Sequence, residues 1–101
     1  MVNPVRKIVI DNEAKIALRE AYQFIKKDSF QNAEKVRKEI LKSIKQLIKH
    51  PTKYPPDKFR QDKDTSFRAY EMFRYRITYH ISEHEIRIIR IRHTKMNPLE
   101  Y

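Results

Sequence analysis

Three side chains able to transfer protons, carry charge or stack on a ring follow one basic strand near the end of the chain. The stretch RIRHTKMNPLEY, from Arg90 to Tyr101, begins as alternating Arg and Ile and then supplies His93, Lys95 and Tyr101. An imidazole titrates near neutrality, so His93 is a candidate acid or base. The alternatives are a hydrogen-bonded strand-end histidine and, for Tyr101, a ring that packs against the sheet.

Composition narrows the kind of site that could hold these groups. The chain has 101 residues, no cysteine and no glycine. Thiol chemistry, thiolate metal sites and glycine-rich phosphate loops are therefore excluded. The net charge of +10 favours a polyanion as partner: nucleic acid, an anionic membrane surface or an acidic protein. The four histidines form no convincing metal set, so we expect neither metal nor cofactor.

No apolar run approaches the roughly 20 residues of a membrane span. The first residues, MVNPVRKIVIDNEAK, reach Asp11 and Glu13 before any signal-like apolar stretch. We therefore expect a cytoplasmic protein with a single domain over residues 1–101.

Periodicity predicts one strand and then two helices. PVRKIVI, residues 4–10, reads as a short first strand, and Asp11 or Asn12 can cap the helix that follows. Asp28 or Ser29 can cap the second helix, which Pro51 ends. The short link between two amphipathic helices predicts an antiparallel helical hairpin.

After a proline-rich loop, the period changes from 3.6 to 2. SFRAYEMF, RYRITYHI and EIRIIRIR read as three strands with short connections, which predicts an antiparallel meander. The fold class is α+β: an N-terminal strand and a helical hairpin packed on one face of a mainly antiparallel four-stranded sheet, in the order β-α-α-β-β-β. The place of the first strand in the sheet is left open.

The sheet face away from the helices is the predicted binding surface. In the middle strand Tyr75, Ile77, Tyr79 and Ile81 suit the core, while Arg74 and Arg76 fall on the open face. We expect Arg68 and Tyr70 to join them there. Arginines with aromatics between them suit single-stranded RNA, although a solvated cationic strand surface explains the pattern equally well. In the last strand Ile86 and Ile88 share one phase and Ile89 and Ile91 the other, which indicates a bulge or a strand covered on both sides.

This layout resembles the RelE/ParE superfamily of bacterial toxins. The resemblance covers nearly the whole chain, and its specific parts are Tyr75-Arg76-Ile77 followed by Tyr79, and His93-Thr94-Lys95 with Pro98 shortly after. It implies the toxin of a type II toxin–antitoxin system, with a cognate antitoxin as partner. It also implies one of two mechanisms: metal-independent cleavage of messenger RNA on the ribosome, or inhibition of DNA gyrase without nuclease chemistry.

The resemblance favours the endoribonuclease and assigns roles to residues. Arg76 would clamp the scissile phosphate, Lys95 would stabilise charge or relay a proton, His93 would be acid or base, and Tyr101 would stack on the substrate. The substrate-binding candidates around this catalytic set are Arg68, Tyr70, Arg74, Arg90 and Arg92. Arg76 has a structural alternative, an ion pair with an internal carboxylate such as Glu71. Gyrase inhibition and a degenerate toxin that only binds its antitoxin are the other functions considered.

Overall fold

The computed structural model describes residues 5–62 and 64–95. Its elements follow the predicted order: β1 (Lys7–Ile10), α1 (Asn12–Lys26), α2 (Phe30–Gln46), β2 (Phe67–Met72), β3 (Tyr75–Ile81) and β4 (Glu85–His93). The sheet has the order β1-β4-β3-β2. Strand β1 is parallel to β4, whereas the other two pairs are antiparallel. The predicted α+β architecture is confirmed, and β1 is an edge strand.

The two helices begin in different ways. Ser29 is the N-cap of α2, and its hydroxyl accepts a hydrogen bond from the backbone N–H of Asn32 at 3.1 Å. Asp11 occupies the N-cap position of α1, but its carboxylate makes no capping bond. It accepts a hydrogen bond from Arg87 Nη1 at 2.5 Å instead, because β4 brings that guanidinium beside the helix start. The acidic residue therefore ties α1 to the sheet.

The core lies between the helical hairpin and one face of the sheet. Its fully buried side chains come from both layers: Ile40, Ile44 and Leu47 from the region of α2, and Ile77, Tyr79, Ile86 and Ile88 from β3 and β4. The alternation that predicted Tyr75, Ile77 and Tyr79 as core residues of β3 is confirmed. Neither described helix has the length and apolar run that a membrane crossing requires.

A β-bulge explains the phase change in the last strand. Tyr79 pairs with Ile88 and Thr78 pairs with Arg90, so Ile89 is an extra residue in β4. An extra residue moves all later side chains to the opposite phase. Ile86, Ile88 and Ile91 therefore all face the core, and Arg90 and Arg92 both lie on the open face.

The β2–β3 turn is strained. Met72 pairs with Tyr75, which leaves Phe73 and Arg74 as a two-residue connection. Their φ angles are 52° and 67°. Positive φ at both central positions defines a type I′ turn, which usually contains Asn and Gly. This chain, which lacks glycine, places two large side chains there.

The loop after α2 covers the outer edge of β2. Asp57 N–H donates to the Phe67 carbonyl at 2.8 Å, and Ala69 N–H donates to the Pro55 carbonyl at 3.3 Å. Pro56 bridges to Arg68 in antiparallel orientation. The Phe67 carbonyl and the Ala69 N–H, which an edge strand would otherwise expose, are thereby satisfied. This loop also brings the side chains of Asp57, Phe59 and Arg60 against the sheet.

Candidate functional site

The open face of the sheet carries the arginines of β3 and β4. Register pairs Arg76 with Arg92, Thr78 with Arg90, and His80 with Arg87, so these side chains share that face. Arg76 lies on the predicted surface, and the bulge places Arg90 and Arg92 there as well, although the phase change in the sequence left their direction open. Five of these six side chains are cationic or titratable. The acidic groups near them therefore determine which of these side chains are already paired.

Arg76 is held by a buried carboxylate. Its Nη2 donates to Asp57 Oδ1 at 2.7 Å, and the two side chains are 17% and 1% exposed. The backbone N–H of Phe59 donates to the same oxygen at 3.1 Å. The Phe59 ring centroid lies 4.6 Å from the guanidinium carbon, a cation–π contact. The structural alternative for Arg76 is thus realised, with the loop residue Asp57 as partner; Glu71, the carboxylate suggested above, is its cross-strand neighbour.

A second stack lies farther along the same face. The Arg60 guanidinium carbon lies 3.4 Å from the Phe67 ring centroid, and the Phe67 and His80 rings are 4.4 Å apart. Arg60 also makes two hydrogen bonds to the Asp62 carboxylate, at 2.8 and 2.9 Å. The loop therefore contributes both a cation and a counter-charge here.

Arg87 is engaged at the β1 end of the sheet. Besides Asp11, it binds Glu85 through Nε at 2.7 Å. The hydrogen bonds to Asp11 and then to Glu85 are the main causes that raise the pKa of Arg87. These contacts make Arg87 a structural cation on the open face.

The prediction that Arg68 and Tyr70 lie on the open face is wrong. Arg68 pairs with Tyr79 and Tyr70 pairs with Ile77, two buried core residues, so both point toward the helices. Their polar ends are satisfied there: Arg68 Nη1 donates to the Tyr54 carbonyl at 2.6 Å, and Tyr70 Oη lies 2.8 Å from Ser43 Oγ on α2. Because long side chains can reach partners from the interior, their polarity did not reveal the face.

Tyr70 is poorly suited to act as a base. Its ring stacks on Tyr54 with centroids 4.0 Å apart, and the residue is 7% exposed. Burial raises the pKa of the Tyr70 hydroxyl well above its usual value, and the hydrogen bond with Ser43 opposes this only in part. A base needs the opposite shift.

His93 and Lys95 lie on the helix side, at the end of the sheet. His93 pairs with Tyr75, and the two rings meet edge to face at 5.1 Å. The Lys95 backbone N–H donates to His93 Nδ1 at 3.1 Å, which places the proton of the neutral ring on Nε2. The Thr94 N–H donates to the Arg74 carbonyl at 2.8 Å and ties this segment to the β2–β3 turn.

His93, Lys95 and Arg74 line one groove of about 610 Å³. Phe24, Ile25, Asn32 and Val36 come from the helices, and Phe73 and Tyr75 complete the lining. Arg76 does not share this groove, because adjacent residues of β3 point to opposite faces. The structure brings His93, Lys95 and Arg74 together and separates Arg76, Arg90 and Arg92 from them. The prediction that Arg74 lies on the open face with Arg76 is therefore wrong, because Arg74 belongs to the β2–β3 turn and not to the alternation of β3. Tyr101 lies outside the described residues.

Sequence reasoning missed Asp57, Phe59, Phe24 and Phe73. Asp57 and Phe59 belong to a segment that the sequence predicted only as a loop. The signal that could have identified them is an acidic and an aromatic residue directly after Pro55 and Pro56, in a part of the chain that is otherwise strongly polar. Phe24 lies on α1 outside its buried residues and is 63% exposed. Over residues 5–62 and 64–95, no group of three or more His, Cys, Asp or Glu side chains could hold a metal ion.

The comparisons with known proteins agree with this architecture. Residues 8–98 match the model of the ParE toxin of the type II toxin–antitoxin system parDE. A solved structure of a chromosomal ParDE toxin–antitoxin system from P. aeruginosa shares the fold, with a TM-score of 0.68 and 17% identity over 88% of this chain and 96% of that one. No curated protein matches the chain. Since the family model spans most of its length, the protein belongs to the ParE toxin family of type II toxin–antitoxin systems, which implies a cognate antitoxin as its partner.

Proposed function

We propose that this toxin acts by binding and inhibiting DNA gyrase, without cleaving RNA. The observation that carries the proposal is the position of Arg76. Its guanidinium is bound to the buried Asp57 carboxylate on the open face, whereas His93 and Lys95 lie on the helix side. Cleavage by a ribose 2′-OH needs a cation, a base and an acid around a single phosphate. A phosphate held by Arg76 would have the sheet between it and His93.

Membership in the ParE family also favours this mechanism over the nuclease. Within the superfamily that the sequence resembles, ParE-like toxins are the gyrase inhibitors. An inhibitor of this kind needs a binding surface only. Because gyrase acts on chromosomal DNA, the proposal includes a cytoplasmic location.

The experiment compares two activities of one preparation. Purified toxin is added to gyrase with relaxed plasmid, and supercoiling and cleaved DNA are measured; the same toxin is added to a translation extract, and the message is read by primer extension. We expect lost supercoiling and trapped gyrase–DNA complexes with an intact message. Discrete cuts within codons and normal supercoiling would contradict the proposal.

An endoribonuclease is the second candidate because His93, Lys95 and Arg74 share one groove. In that mechanism His93 would move the proton, while Lys95 and Arg74 would stabilise the phosphorane charge. His93→Ala and Lys95→Ala should then abolish cuts in the extract and relieve growth arrest, with antitoxin affinity changed less than about tenfold, or about 1.4 kcal/mol. If both variants cut message normally, these roles are excluded.

A further inference from the structure

The groove beside the β2–β3 turn has the composition of a protein-binding site. Two exposed aromatic residues form its walls: Phe24 from α1, 63% exposed, and Phe73 from the turn, 41% exposed. Ile25, Val36 and Tyr75 contribute apolar lining between them. Phe30, the first residue of α2, lies at the same tip of the hairpin and is 55% exposed, with Lys26 Nζ 5.9 Å from its ring centroid.

The strain in the turn points to a use for its side chains. Phe73 and Arg74 both have positive φ, a conformation that costs a bulky residue free energy and that Asn and Gly adopt readily. Folding alone would be better served by Asn-Gly. Both side chains line the groove, so the strained residues are also the ones that a ligand would meet.

The charges of the groove select the chemistry of its partner. Arg74 and Lys95 are cationic, and none of the nine described lining residues is acidic. The Thr94–Arg74 and Lys95–His93 hydrogen bonds hold the two cationic segments side by side. An apolar groove with two cations fits an apolar side chain flanked by carboxylates. Nucleic acid would require a row of cations along its backbone, and the aligned arginines lie on the opposite face of the sheet.

We propose that this groove is the surface through which the toxin binds an acidic segment of DNA gyrase, with Phe24 and Phe73 gripping an apolar side chain of that segment. The inference rests on the proposed function. It adds the location of the contact and the chemistry of the partner segment.

The test replaces the strained turn with the residues that its geometry prefers. The double variant Phe73→Asn/Arg74→Gly should melt no lower than the wild type and bind purified gyrase at least tenfold more weakly, measured by Tm and by surface-immobilised binding. If the turn has only a structural role, the affinity of the double variant for gyrase will equal that of the wild type. Phe24 lies on the groove wall opposite Phe73 and outside the turn. Phe24→Asn should weaken gyrase binding to a similar extent, so the proposal can still be tested if the double variant fails to fold.

Val5→Asn is the matched control. Val5 is 89% exposed and precedes β1, whose first residue, Lys7, pairs with Glu85 at the far end of β4 from the groove. This variant should bind gyrase like the wild type. The groove proposal is overturned if wild-type toxin binds gyrase and the folded groove variants bind equally well, or if they lose only binding to a single-stranded RNA. Wild-type toxin that does not bind gyrase would overturn both proposals.

Discussion

At the scale of single residues, Arg76 shows how one side chain can match a functional pattern and still be structural. Its position on the open face agrees with the alternation of β3. Its engagement with Asp57, a residue 19 positions earlier in the chain, depends on the path of a loop that no periodicity describes. The ion pair therefore fixes the loop to the sheet, and the Arg76 guanidinium is occupied by Asp57.

We expect Arg76→Ala to unfold the protein more easily, by about 3 kcal/mol, because the Asp57 carboxylate would remain buried without its cation. Asp57→Ala should cost a similar amount. The double variant should cost clearly less than the sum of the two single variants, since neither charge is then left alone. Urea denaturation of the three proteins measures the coupling. Strict additivity would show that the pair contributes nothing specific.

This expectation affects how toxicity data are interpreted. Loss of growth arrest in Arg76→Ala would follow from instability as well as from lost catalysis. A toxicity assay on this variant therefore needs a parallel measurement of its free energy of unfolding. Lys95, exposed and without a buried partner among the described residues, gives the cleaner functional variant.

At the scale of elements, alternation predicted the sheet well wherever long polar side chains did not intervene. In β3 the alternate residues Tyr75, Ile77 and Tyr79 are buried, as expected. In β2 the pattern failed, because the phase with Arg68 and Tyr70 is the buried one and its polar ends find Tyr54 and Ser43. Those partners lie 14 and 27 residues away, so only the folded chain identifies them. The same holds for the groove, whose lining comes from four elements and two turns.

The bulge in β4 gives a direct test of this register. Removal of Ile89 restores uninterrupted alternation while Ile88 still faces Tyr79 and Arg90 still faces Thr78. We expect the deletion variant to fold cooperatively, with a loss of about 1 kcal/mol from the half-buried isoleucine. Thermal unfolding followed by circular dichroism measures the loss.

Deletion of Ile91 is the matched control for that experiment. It removes a residue from the regular part of β4 beyond the bulge, so an arginine, Arg90 or Arg92, faces Ile77 in the core whether or not the bulge is kept. That variant should not fold. Equal stability of the two deletion variants would mean that the register assigned to β4 is incorrect.

At the scale of the whole molecule, the two faces of the sheet have separate tasks. The helix side carries the core and ends in a groove with aromatic walls, whereas the open side holds arginines against acidic residues of the loop and of the α1 N-cap. The net charge of +10 remains after these pairs and attracts acidic partners over the whole surface. Under the groove proposal, this charge brings acidic partners near the toxin, and the groove selects among them.

Buried tyrosines couple this architecture to pH. Burial raises the pKa of Tyr79 to about 12, and its Oη donates to the Pro51 carbonyl at 2.7 Å. In the unfolded chain the hydroxyl ionises near pH 10, so the folded state holds the proton more tightly. Stability from this group is therefore complete below pH 10 and is lost as the pH rises toward 12, by about 2 to 3 kcal/mol. Urea denaturation between pH 8 and pH 11.5 measures this slope.

Two variants test whether the buried hydroxyls cause the decline. Tyr79→Phe should lose about 1 kcal/mol of stability at pH 8, because the hydrogen bond is lost, and its stability should fall less steeply at alkaline pH. The double variant Tyr70→Phe/Tyr79→Phe should show a smaller slope still. Parallel slopes for the wild type and both variants would exclude these hydroxyls as the groups that set the alkaline limit.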